Sequence, residues 1–149
     1  KCTCIMFEKL FMLVKNNAGM AVIDNPVIPV KYHEAVINEA SSSIIEVLKG
    51  QMESGKLKDM IKYFQFPGIY NNPLINSAVN KFANKLNNYY GIEPVAALQV
   101  AKELIPPVMQ EMIQQSKNEQ NTDFALGKLL TMLSGNYNMN TLLSQLAVA

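Results

Sequence analysis

Apolar side chains recur along this chain at three- and four-residue intervals, the spacing that gathers them on one face of an α-helix. No run alternates apolar and polar positions with period two. Phe7, Leu10, Phe11 and Val14 mark a first helix, with Gly19 placed to stop it in a left-handed cap. In the following "MAVIDNPVIPV", Pro26 and Pro29 restrain the chain and push Asn25 and Ile28 towards extended backbone, with room for a short helical turn. A second helix, over about residues 31–53, carries its stripe at Ile37, Ala40, Ile44, Val47 and Leu48. Gly55 allows a turn into a short third helix of Leu57, Met60, Ile61 and Phe64, and "FPGIYNNP" reads as a loop around Pro67-Gly68.

Asn72-Pro73 opens a fourth helix with an N-cap and a proline at the first helical position. Its stripe of Ile75, Ala78, Val79, Phe82, Ala83 and Leu86 is the most regular in the chain, and Gly91 closes it. Pro94 starts a helix carrying Ala97, Leu98, Ala101, Leu104 and Ile105, which Pro106-Pro107 is expected to kink or restart. "SKNEQNTD" is a loop, Thr122 or Asp123 caps a helix through Leu126, Leu129, Leu130 and Leu133, and Gly135 ends it. Thr141 to Ala147 fits a last short helix. The pattern predicts an all-α fold, a single compact bundle of about seven to eight helices. "MFEKLF" reads like a natural beginning at Met6, so residues 1–5 are expected as a flexible N-terminal extension and 6–149 as one domain.

An internal echo adds to this. "EAVINEASSSIIEVLKGQM" aligns with "VAALQVAKELIPPVMQEMI", placing Ala40 on Ala101, Ile44 on Ile105, Val47 on Val108 and Leu48 on Met109. Two explanations stand: helical period alone aligns any two amphipathic helices, or the order of elements records a duplicated unit. The order is a helix ending in Gly, a long Ala-containing helix, a short Leu-rich helix and a Gly-containing turn.

Composition narrows the function classes. Charged residues are 17% of the 149, against about 25% in ordinary soluble domains, and all the positive charge is lysine. A net charge of +1 with scattered lysines leaves no footprint for nucleic acid. "FANKLNNYYGIEPVAALQVAKELI" superficially resembles a helix-turn-helix, but its reading helix would offer only Gln99 and Lys102. Weak net charge also means weak self-repulsion, which favours a homo-oligomer. No apolar run approaches the roughly 18 residues that span a bilayer. Glu8 and Lys9 interrupt the N-terminal apolar stretch, so it reads as an amphipathic helix and not a signal peptide, with a cytoplasmic location expected.

Candidate chemistry is sparse. His33 is the sole histidine and adjoins Glu34, but neighbours on a helix point about 100° apart, so the pair forms no base and orienter. Cys2 and Cys4 make no disulfide framework, and His33 alone does not complete a thiolate metal site. Around the stripe of the second helix, Ser42 falls nearly opposite and Ser41 and Ser43 fall on its shoulders. In the echo, Lys102 and Glu103 occupy the Ser41 and Ser42 positions, as exposed sites would. With no base at hand, the serine triplet reads as a structural edge; no catalytic residue, metal site or cofactor is assigned. Tyr70, Tyr89, Tyr90 and Tyr137 sit near helix ends and loops, where they are candidate partner-facing anchors or packing residues with wet ends.

"GIEPVAALQVAKELIPPVMQEM" and "FALGKLLTMLSGN" resemble segments of the YidB-like family of small, all-helical bacterial proteins of unknown function. An "NPVIP" element paired with an "AVINEASSSI" helix extends the likeness, which spans about Met6 to Asn136. The resemblance implies an all-helical fold and transfers no catalytic residue, cofactor or substrate. The expected function is non-enzymatic, through self-association or a protein partner. The alternative is a carrier holding a lipid or apolar small molecule between helices lined by Met, Phe and Tyr.

Overall fold

The computed structural model describes residues 2–65 and 72–116. Their structure is all-α, with helices α1 (Cys2–Asn16), α2 (His33–Glu53), α3 (Leu57–Gln65), α4 (Pro73–Tyr90) and α5 (Pro94–Ser116). A one-turn π-helix at Gly19–Ile23 and a 3-10 turn at Val30–Tyr32 lie between α1 and α2. No strand occurs among the described residues. The expected helices at Leu126 to Leu133 and Thr141 to Ala147, and most of the "FPGIYNNP" loop, lie outside them. Helix α1 begins at Cys2, so residues 2–5 fall inside its first turn and do not precede it.

The stripes assemble into one core. Helix α2 packs against α1, α3 and α4, while α5 packs against α4, α1 and α3. Helices α1, α2, α4 and α5 therefore close a ring, with α4 and α5 its most extensive pair. Met60 and Phe64 carry α3 into the same core, which Phe82, Leu10, Ile44, Leu48, Leu86 and Leu104 fill. Each fully buried large side chain contributes about 1.5–3 kcal/mol relative to exposure.

Helix ends explain why the elements stop where they do. Asn72 is the N-cap of α4, its Oδ1 accepting from the Leu74 amide at 2.9 Å, with Pro73 next as expected. Its Nδ2 also donates to the Tyr63 carbonyl at 3.0 Å, so one buried side chain starts α4 and ties it to α3. Gly91 ends α4 at φ 64°, a left-handed conformation that strains a residue with a Cβ. Gly19 does not play that part, because positive φ among the described residues occurs only at Gly55 and Gly91. Helix α1 is closed instead by Asn17, whose Nδ2 donates to the Leu13 carbonyl at 2.9 Å. Gly19 then opens the π-helix, where Ile23 and Asp24 amides reach back five residues to Ala18 and Gly19 carbonyls. That turn buries Ala21 and Val22 and leaves Met20 and Ile23 outside.

Pro106-Pro107 also departs from expectation, since α5 continues through both. The amides they lack would have served the carbonyls of Lys102 and Glu103, and both of those residues are exposed. Water can take up the lost bonds while Leu104, Ile105, Val108 and Met109 hold the opposite face in the core.

Asn72→Ala removes a cap and a buried tie together. Urea unfolding is expected to show a loss of about 2 kcal/mol, and Asn72→Ser, which keeps an acceptor, a smaller one.

Candidate functional site

The ion pairs of Glu39, Glu46, Lys81 and Lys85 lie on one seam between α2 and α4. Glu39 and Glu46 lie seven residues apart on α2, nearly two turns, and so share a flank. Lys81 and Lys85 do the same at four residues on α4. Lys85 Nζ lies 3.0 Å from Glu46 Oε2 and 3.6 Å from Glu39 Oε1, and Lys81 Nζ lies 3.5 Å from Glu46 Oε1. Tyr90, five residues past Lys85, donates its hydroxyl to Glu39 Oε2 at 3.2 Å. These pairs run in opposite order along the two helices, so α2 and α4 are antiparallel.

The seam ends in an aromatic contact. The Tyr90 ring meets Tyr32 edge-to-face at a centroid distance of 5.4 Å, and Lys31 Nζ stands 5.1 Å from the Tyr32 centroid. Burial raises the Tyr90 phenol above its usual value, and the Glu39 carboxylate and the hydrogen bond to it act in the same direction. The phenol therefore stays protonated at neutral pH and serves as a donor, a poor arrangement for a nucleophile or general base.

Two hydroxyls of the serine triplet bond their own helix. Ser41 Oγ donates to the Ile37 carbonyl at 3.0 Å and Ser43 Oγ to the Glu39 carbonyl at 2.7 Å, each one turn back on α2. Ser41 is fully buried, contrary to the exposure that the match to Lys102 suggested. The reason is the width of the covered face. At 100° per residue, the arc from Ser43 to Ile45 spans about 200° of the helix, because three helices lie against it. Ser42 is left on the partly exposed side.

Of the other sequence candidates, His33 is half-buried with Nε2 3.1 Å from the Ile28 carbonyl. A carbonyl can only accept, so this ring nitrogen carries the proton and pins the linker to the start of α2. Tyr89 is 69% exposed while Tyr90 is turned inward, and Tyr70 and Tyr137 lie outside the described residues. Sequence reasoning treated the two adjacent tyrosines alike. Helical period does not separate them, because Tyr89 falls three and Tyr90 four residues after Leu86 and both continue the α4 stripe. The seam itself was missed, although the Glu39/Glu46 and Lys81/Lys85 spacings carried it. Among the described residues, no three His, Cys, Asp or Glu side chains gather as metal ligands, and no helix is long and apolar enough to cross a membrane.

Two surface features remain. Val30, Tyr89 and Val95, 81%, 69% and 74% exposed, lie within five residues in sequence of Tyr32 or Tyr90. Separately, a groove of about 450 Å³ opens between α1 and α2, lined among the described residues by Glu8, Phe11, Met12, Glu34 and Asn38. No family model, curated protein or solved structure matches the chain.

Two measurements check this description. Ser41→Ala deletes a hydroxyl that serves only its own helix, so urea unfolding should change by less than about 1 kcal/mol. For Tyr90, a raised folded-state pKa means its contribution is complete below the unfolded value near 10 and is lost as pH rises through the folded value. Thermal unfolding from pH 9 upward, at about half-unit steps, should show a steeper alkaline fall in the parent protein than in Tyr90→Phe.

Proposed function

We propose that this protein works without catalysis, as a helical module that associates with a second copy or a protein partner. The observation that carries the reading is the exposure of three large apolar side chains, Val30, Tyr89 and Val95, on a chain of net charge +1. Exposed tyrosine is a frequent interface anchor, and a low net charge leaves little repulsion to oppose association. Supporting it from the other direction, the hydroxyls of Ser41, Ser43 and Tyr90 and the His33 imidazole are committed to backbone carbonyls and Glu39. Kinship with the YidB-like proteins belongs to the same proposal. It rests on the "GIEPVAALQVAKELIPPVMQEM" segment, which forms the α4–α5 turn and α5. The duplicated-unit reading rests on the order of elements; the burial of Ala40, Ile44 and Leu48 and of their counterparts Ala101, Ile105 and Met109 is what helical period alone also gives.

Light scattering between about 10 μM and about 1 mM is expected to show mass rising with concentration, and Val30→Asp with Val95→Asp to weaken association at least about tenfold. A strict monomer throughout, together with no partner retained by the parent protein over the double variant, overturns the reading.

A further inference from the structure

The groove between α1 and α2 has an apolar floor and an acidic rim. Phe11 and Met12 stand one turn beyond Glu8 on α1, at three and four residues, so the three share one face. Glu34 and Asn38 share the facing side of α2 by the same four-residue spacing. Met12 is 52% exposed and Phe11 is half-buried against the core, which leaves apolar surface open to the groove. Both carboxylates are exposed, and neither Glu8 nor Glu34 has an ion-pair partner among the described residues. The other interhelical carboxylates of α2 differ, because Glu39 and Glu46 are matched by lysines of α4. One acid on each helix thus brackets an apolar strip of about 450 Å³, within the range of ligand-sized clefts.

We infer that this groove docks a basic amphipathic helix of a protein partner, with apolar side chains on Phe11 and Met12 and lysine or arginine reaching Glu8 and Glu34. The complement is fixed by charge. An acidic or phosphate-bearing ligand meets two like charges, and a purely apolar one leaves both carboxylates beside a drier surface with no cation in reach. A helix that repeats Lys and Leu at three- and four-residue spacing supplies both in one stripe. The inference rests on the interaction reading above but uses a different surface, so the two can fail separately.

The test uses two synthetic helical peptides of equal length, one with Leu and Lys on a shared stripe and one with Glu replacing each Lys. The protein carries isotope-labelled methionine methyls, the Met12 signal being assigned through Met12→Leu. The lysine peptide is expected to shift the Met12 signal and to bind at least about tenfold more tightly than its glutamate counterpart. Glu8→Gln with Glu34→Gln, both at exposed positions, should weaken the lysine peptide about three- to tenfold and flatten its salt dependence. Equal binding of the two peptides overturns the inference, as do binding unchanged in the double variant and shifts that leave Met12 unmoved. If these fail while concentration-dependent association persists, the interaction reading stands and only the groove is lost.

Discussion

Helix α2 is covered over about 200° of its circumference, and a helix so enclosed has little room for an unsatisfied polar atom. The sequence meets that constraint with serines, the smallest polar side chains that can bond their own backbone. Ser41 and Ser43 return their hydroxyls to carbonyls one turn back, so each occupies a buried position without asking anything of the neighbouring helices. Their small size lets other helices come close, and their bonds cost α2 only a slight loss of helix propensity. Gln51 on the same helix is the exception, with its Oε1 buried and without a hydrogen-bond partner among the described residues.

With α2 enclosed, the remaining question is how its neighbours find their register. Ridge-and-groove packing of Val, Ile, Leu and Ala leaves several sliding positions close in energy. The Glu39/Glu46–Lys81/Lys85 seam distinguishes among them. Such pairs contribute only about 0–1 kcal/mol each where exposed, but a slip by one turn would leave a single lysine beside Glu46 and take Tyr90 off Glu39. Tyr90 then couples the end of α4 to Glu39 on α2 and Tyr32 in the linker, while His33 holds Ile28. The irregular stretch between α1 and α2 is thereby fastened at both sides of its last turn.

The helices were legible in the sequence because they rest on local rules. The α4 cap at Asn72, its stop at Gly91 and its stripe from Ile75 to Leu86 follow from caps and period alone. What could not be read depends on contacts distant in sequence. A π-turn has no residue code, and Gly19 looks like a helix stop until Asn17 is seen to do that work. The narrow stripe assigned to α2 counted only its apolar residues, whereas Val36, Ser41, Ser43 and Ile45 are buried by neighbours that the sequence does not announce. The acidic groove was equally hidden, since Glu8 and Glu34 become a pair only when α1 and α2 pack. Tyr89 and Tyr90 show the limit most plainly: adjacent, identical and assigned one role, they point to water and to the core.

The paired prolines of α5 have an effect that reaches past their own turn. The carbonyls of Lys102 and Glu103 lose their usual amide donors, and water is available to them only while that side faces outward. Rotating α5 by half a turn would bury both, at roughly 1–3 kcal/mol for each orphaned carbonyl. The Ala, Leu, Ile and Met around the rest of this helix could tolerate other faces far more easily. Two missing hydrogen atoms therefore work as an orientation key, admitting α5 to the bundle in one rotational setting.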